Sequence, residues 1–272
     1  MKPRTHVAAQ CLLWIATCMA SIAAPPLTPG QAQLLEHVRT ASLAYASRLP
    51  NFLCTQITHR RMEKRIGFGS KTDVIEQRLS YVGQHETYQL VTVNGKPPSA
   101  SDLSEISGTV SGGEFGTLLV EIFDPQSAAT FDWLPEIEIH GRRAYVFAFH
   151  VPAEHGASVT HRESMQEITA AFGGEIAVDA QTLDVLRIHS VIELPKTFPV
   201  RSSEVTIEYK AVEIAGNHYD LPVHSALLVT DERYSYNNQI DFRSYHHFGT
   251  ESRIILDDPG DAPEPPKPEP PK

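Results

Sequence analysis

Cysteine is scarce: three residues in 272, of which Cys11 and Cys18 fall in an N-terminal leader expected to be removed. Cys54 is then the one thiol of the mature chain, so an internal disulfide is excluded. A lone thiol reads first as a small buried apolar group, with intermolecular pairing or reactivity as the alternative. Positive charge is also short, 23 Lys and Arg against 33 Asp and Glu for a net charge of −10. Removal of Lys2 and Arg4 with the leader leaves 21 basic against 33 acidic side chains. That balance argues against a nucleic-acid partner and disfavours plain adhesion to an anionic membrane. The local cluster His59, Arg60, Arg61, Lys64, Arg65 reads either as a basic patch or as the solvated face of a strand.

Long apolar runs are missing as well. The stretch Val7 to Met19 is interrupted by Gln10 and Thr17, and a spanning helix needs roughly 20 apolar residues. No transmembrane span is expected in the mature chain. The chain lacks a Gly-x-Ser-x-Gly elbow, because residues 108–113 read Gly, Thr, Val, Ser, Gly, Gly and place Ser111 one position late. No phosphate-cradling glycine loop follows a strand. The 13 histidines invite a metal, yet His150, His155 and His161 flank a loop, and His246 and His247 would point to opposite faces of a strand. Neither spacing gathers the convergent ligands that zinc needs. Glu136 and Glu138 lie on the polar side of a proposed strand. No metal, cofactor or catalytic constellation is expected, and an enzymatic reading would require His150, His155 or His161 to meet carboxylates on a pocket.

What is present begins with Lys2 and Arg4, the apolar stretch, and the small residues Ser21, Ala23 and Ala24. Together they predict a cleavable signal peptide over residues 1–23, cut after Ala23 or Ala24, and a periplasmic or secreted protein. A competing reading anchors the chain through a lipid on Cys18. Thr28 and Pro29 then predict a helix cap and first turn, with Leu34, Leu35, Val38, Ala41 and Tyr45 on one face and Pro50 beyond the end. The pattern changes to period two, predicting strands near Phe52 to Arg65, Lys71 to Val82 and His85 to Val93. A polar stretch from Asn94 to Glu114 precedes Leu118, Leu119, Ile122 and Phe123, which fit a short helix. This insertion predicts either a lid or a plug of the core.

Phe131, Trp133, Ile137 and Ile139 alternate with acidic residues, and a His140-Gly141 turn leads into Arg142 to Val151. That strand carries Tyr145, Phe147 and Phe149 on one side and Ala144, Val146 and Ala148 on the other, so both its faces are expected to be buried. Pro152 to Ser164 reads as a polar loop. Further period-two segments follow around Ile176 to Val178, Leu186 to Leu194, Val205 to Tyr209, Leu221 to Val229 and Ile240 to Ile255. The result is about ten antiparallel strands, without the strand and helix alternation of a parallel sheet. The fold class predicted is mainly β: a large curved antiparallel sheet or incomplete β-barrel with an N-terminal helix and an inserted lid-like helix. It forms one domain over residues 28–256, with a Pro-rich tail over 257–272 expected to be disordered.

The helix Pro29 to Ser47, the aromatic strand Gly141 to Val151, and Gly174-Glu175-Ile176-Ala177-Val178-Asp179 followed by Leu183-Asp184-Val185-Leu186-Arg187 carry a resemblance. In strand order and in this strand-Asp-turn-strand pattern, residues 28–255 resemble the periplasmic lipoprotein-carrier superfamily, the LolA-like and LppX-like proteins and the related N-terminal domain of the MucB and RseB regulators. The resemblance implies a hydrophobic cavity that receives acyl chains without covalent chemistry. It makes Phe131, Trp133, Ile137, Ile139, Tyr145, Phe147 and Phe149 cavity lining, and Leu118, Leu119, Ile122 and Phe123 lid. The partner it implies is a lipid or a lipidated protein. The carrier's functional basic residue has no counterpart at a matching position, and the Pro-rich tail departs from the family pattern. The alternative is an envelope sensor or protein-interaction domain built on the same sheet with a filled core and an envelope protein as partner.

Overall fold

Thr28 caps the first helix as its sequence predicts: its hydroxyl accepts from the Gln31 N–H at 3.3 Å, while Gln31 Oε1 accepts from the Thr28 N–H at 2.9 Å. With Pro29 in the first turn, this reciprocal box starts α1 (Pro29–Leu43), and a further turn, α2 (Tyr45–Arg48), follows. Leu49 is extended, at φ −71° and ψ 136°, because the ring of Pro50 disfavours a helical residue before it. The computed structural model describes residues 26–98, 113–161 and 163–249. The expected signal peptide with Cys18, most of the loop Asn94 to Glu114, residues 250–256 and the Pro-rich tail lie outside the described residues.

Twelve strands follow in chain order among the described residues. They are β1 (Phe52–Lys64), β2 (Ser70–Val82), β3 (His85–Val93), β4 (Thr130–Ile139), β5 (Arg142–Val151), β6 (Ala157–His161), β7 (Gln166–Ala170), β8 (Phe172–Asp179), β9 (Val185–Ile192), β10 (Val200–Ile214), β11 (Asn217–Asp231) and β12 (Tyr234–His247). A helix, α3 (Thr117–Phe123), stands between β3 and β4. Ten strands form one antiparallel sheet in the order β3-β2-β1-β12-β11-β10-β9-β8-β5-β4, which does not close into a barrel, and β6 with β7 make a separate hairpin. The hairpin replaces part of the loop expected from Pro152 to Ser164. Its strands have five residues each, too few for an alternating pattern to declare itself.

The sheet is organised by side-chain rows that run across the strands. Trp133, Phe147, Ile176, Ile188, Ile207, Ser225, Ile240, Thr58, Ile75 and Val93 are successive register partners from β4 to β3. Because register partners share a face, this row marks the inner face along the whole sheet. α1 and α3 pack on it near β5, β8, β9 and β10, through Leu35, Val38, Leu119, Ile122 and Phe123. Arg39 ties the two helices together by donating to the Phe123 carbonyl at 2.7 Å.

Two local features break the alternation. In β4, Trp133 pairs with Phe147 and Leu134 with Val146, but Ile137 then pairs with Ala144. One extra residue at Pro135 and Glu136 makes a bulge, and a bulge flips the parity of everything beyond it. In β8, Gly173 and Gly174 sit where a β-carbon would collide with the Phe149 and His189 carbonyl oxygens, so neighbouring backbones come closer than any side chain permits. At the end of β8, Asp179 closes the turn into β9. Its carboxylate accepts from the N–H groups of Gln181 and Thr182 at 2.7 and 2.8 Å, and from Arg142 at 2.7 Å.

Candidate functional site

Inward-facing side chains fill the two halves of the inner face differently. At the β4 to β10 end the helices cover an aromatic and aliphatic core. On the β1, β2 and β12 side Phe115 packs down onto the sheet, held in a ring of aromatics: Phe52 and Phe242 at 5.4 and 5.3 Å between centroids, Tyr81 and Tyr245 at 6.3 and 6.4 Å. Phe115 reaches this site because the segment entering α3 is pinned from β3. The Glu86 carboxylate accepts from the Gly113 and Phe115 N–H groups at 3.1 and 3.3 Å and from the Tyr88 hydroxyl. Gly116, at φ +133°, passes against Ala46, a turn that only glycine takes without strain.

Between these two filled halves lies a half-open cavity of about 290 Å³. Its floor belongs to the inner face. Phe172, Ile192 and Ser203 lie at one end, Ser190, Val205 and Leu227 in the middle and Ile207 at the other end, while Thr117, Leu118 and Glu121 of α3 form the opposite wall. The space follows from the sequence of the middle row. Phe131, Phe149, Gly174, Ser190, Val205 and Leu227 are successive register partners, so bulk disappears at Gly174 and Ser190 just where α3 crosses. The lining mixes aliphatic side chains with hydroxyls. Glu121 keeps an exposed surface at the mouth, yet the protein around it desolvates the carboxyl and raises its pKa. Glu114 is buried beside it at 1% exposure, and its carbonyl accepts from the Tyr209 hydroxyl at 3.1 Å.

None of the seven residues expected to line a cavity lines this one. Phe131 stacks on Phe123 with centroids 5.5 Å apart, Trp133 meets Phe147 edge-on at 5.2 Å and Tyr145 at 5.3 Å, and Phe149 contacts Phe172 at 6.0 Å. These five belong to the packed core beneath the helices. Ile137 and Ile139 do not join them. The β4 bulge turns both to the outer face, where they pack with Ala144, Val146, Ala177 and Leu186. Of the proposed lid, Leu118 faces the cavity, whereas Leu119, Ile122 and Phe123 are fully buried in the core.

Sequence reasoning passed over Ser190, Ser203, Val205, Ile207 and Leu227. The one signal available was the pair of small residues, Gly174 and Ser190, between the apolar Phe172 and Ile176 of β8 and Ile188 and Ile192 of β9. The histidines do not converge: His150 lies 3.3 Å from Glu193 and His161 2.8 Å from Ser164. Among the described residues no three His, Cys, Asp or Glu side chains gather as metal ligands, and no helix is long and apolar enough to cross a membrane.

No family model matches the chain, and no curated protein matches its sequence. Solved structures do resemble it. A LolA superfamily protein from Nitrosomonas europaea is 10% identical, with 79% of this chain and 93% of that one covered and a TM-score of 0.36. An outer membrane lipoprotein-sorting protein domain from Vibrio parahaemolyticus is 11% identical over 82% and 93%, with a TM-score of 0.38. The lipoprotein LppX of Mycobacterium tuberculosis is 10% identical over 79% and 95%, with a TM-score of 0.29.

Proposed function

We propose that this protein is a non-enzymatic carrier that shelters an acyl chain of a lipid or lipidated protein between α3 and the inner face of its sheet, in the periplasm or outside the cell. The observation that carries the reading is the half-open cavity of about 290 Å³ over Val205, Ile207 and Leu227. A dry cavity of roughly 150 Å³ admits one benzene, so this one has room for roughly ten to twelve carbons. Burial contributes about 0.8 kcal/mol per methylene, or about 8 kcal/mol gross for a chain of that length. Association costs of at least ~4 kcal/mol offset much of it. A hold of that strength is reversible, which suits a protein that must release what it takes up. Hydroxyls of Thr117, Ser190 and Ser203 and the Glu121 carboxyl punctuate an otherwise largely apolar lining, and among the described residues no histidine or cysteine joins it, so retention by burial is the chemistry that supports the reading. The expected signal peptide supplies the export.

Native mass spectrometry after mild purification, followed by titration with a fluorescent fatty acid, tests the reading. Ser190→Phe fills the middle of the cavity and should weaken probe binding at least about tenfold in a protein that still melts cooperatively. Ser203→Leu does the same from the rim if Ser190→Phe fails to fold. A protein that is always ligand-free and binds no acyl probe overturns the proposal.

A second reading, an envelope sensor or protein-interaction domain, draws support from the apolar packing of Phe115, α1 and α3 over much of the inner face. Crosslinking in the periplasm should then give one dominant partner. A lone monomer in every condition counts against it.

A further inference from the structure

Two hairpin tips at one end of the sheet hold apolar side chains bare to solvent. In the turn between β1 and β2, Ile66 is 84% and Phe68 103% exposed, and Met165, between β6 and β7, is 77% exposed. The turn between β11 and β12 joins the tips: the Arg65 N–H donates to the Arg233 carbonyl at 2.8 Å, and the Arg233 guanidinium lies 3.3 Å from Glu163. Charge is sorted at the same place. Residues 64–71 read Lys, Arg, Ile, Gly, Phe, Gly, Ser, Lys, three cations and no acid in a chain of net charge −10. Arg60, from the same basic stretch, does not contribute, because it turns inward onto Asp73 at 2.7 Å. Lys71 lies 3.3 Å from the same Asp73 carboxylate, and the acids at this end are each paired, Glu63 with Arg61, Glu163 with Arg233 and Glu232 with Arg201, so Lys64 and Arg65 beside Ile66 make the local charge positive.

We propose that this end of the protein docks on an anionic lipid bilayer, with Ile66 and Phe68 entering the boundary between headgroups and acyl chains and Lys64 and Arg65 resting against the phosphates. Exposure and charge together favour a bilayer over a protein surface. A flat protein patch covers one side of an apolar group, whereas Phe68 is bare on every side, on a tip narrowed by Gly67 at φ +81° and Gly69 at φ +145°. Immersion in a fluid apolar phase covers all of it. In a chain of net negative charge, cations gathered beside exposed apolar side chains favour this end as the one turned toward anionic lipid. In that pose the cavity end formed by Phe172, Ile192 and Ser203 lies toward the bilayer, since Ser203 is linked through Val229 and Tyr236 to Met62, next to the tip. The inference goes beyond the acyl-binding reading and does not need it, because docking engages the outside of the hairpins.

Cosedimentation of the mature protein with phosphatidylglycerol-containing vesicles, and with neutral phosphatidylcholine vesicles, tests it. Binding should be about tenfold stronger to the anionic vesicles and should weaken with salt. Ile66→Ser with Phe68→Ser, and separately Lys64→Glu with Arg65→Glu, should each reduce it about tenfold. Ile66 and Phe68 lie on the exposed turn, whereas Lys64 ends β1 and the Arg65 guanidinium donates to the Asp231 carbonyl at 2.8 Å; a melting temperature is therefore taken for each variant, and fatty-acid binding kept by the folded variants distinguishes lost docking from lost carriage. Wild-type protein that stays in the supernatant overturns the proposal. So do variants that bind like wild type, equal binding to both vesicles, or a tip-dependent complex with an envelope protein but none with protein-free vesicles.

Discussion

Arg60 Nη2 and Asp73 Oδ2 lie 2.7 Å apart across β1 and β2, each side chain 5% exposed, so an ion pair is buried on the inner face of the sheet. Lys71 reaches the same carboxylate at 3.3 Å and Asn94 donates to its other oxygen at 3.1 Å. Removing one partner of such a pair strands a charge away from water, whereas replacing both with apolar groups does not. Arg60→Met should destabilise by about 3 kcal/mol, and Arg60→Met with Asp73→Leu by much less. Urea unfolding of the two variants measures the difference.

Acid should unfold the protein through three carboxylates. Burial works to raise Asp73, but hydrogen bonds from Arg60, Asn94 and Lys71 outweigh it and hold the carboxyl below its ordinary range. Burial acts in the same direction on Asp179, where the Thr182 and Gln181 N–H groups and Arg142 prevail, and on Asp241, where His224 and Arg243 do. Folded values below the unfolded ones mean that this stabilisation is complete above about pH 4 and is lost as pH falls through the folded values. The melting temperature should be level from about pH 7 to 5 and fall below about 4. Asp179→Asn should lower it at neutral pH and flatten the acid slope.

Gln56 and Gln77 also face each other on the inner face, both 2% exposed. Gln56 Nε2 donates to Gln77 Oε1 at 3.3 Å, while Gln56 Oε1 and Gln77 Nε2 meet no hydrogen-bond partner among the described residues. Buried amide atoms without partners cost about 1–3 kcal/mol. Gln56→Leu alone should therefore destabilise by about 1–2 kcal/mol, because all of Gln77 is then stranded. The double replacement with leucine should be neutral or stabilising, since Cys54 and Leu79 already form the next row. Thermal melts of the two variants decide between these signs.

Burial pushes the Cys54 thiol up to about 12, against a hydrogen bond with Tyr245 that works the other way. The thiol therefore stays protonated and covered at any pH the protein meets. Ellman's reagent at about pH 8 should react with the folded protein at least about a hundredfold more slowly than with protein in urea. Reaction at a comparable rate would show that β1 opens on the timescale of the assay.

Much of this fold was legible because period-two burial leaves a plain mark. The bounds of β3 and β5 follow from alternation, and Thr28 with Pro29 marks the first helical turn. The burial of β5 on both faces, with Phe147 inward and Val146 outward, was readable from its uninterrupted apolar run. The β4 bulge was missed because Phe131, Trp133, Ile137 and Ile139 keep the same spacing as a regular strand. Pro135 was the residue that argued otherwise, since it gives no N–H to a ladder. The cavity was less legible still. Ser190 and Ser203 face inward, and a polar residue in an alternating strand is read as outward-facing. A site made by missing bulk leaves no motif, and it becomes visible only when β8, β9 and β10 are in register.

The β4 bulge also bears on how copies of the protein meet. β4 is an edge of the ten-stranded sheet, and an edge strand offers its free backbone groups to any other chain. Here the offer is withdrawn midway: Pro135 has no N–H, the extra residue breaks the spacing of the carbonyls, and Glu136 and Glu138 stand exposed beside the break. A second sheet laid against β4 would find its ladder interrupted after a few residues and its charges opposed. The residue pair that misdirects Ile137 and Ile139 thus protects an open sheet from growing.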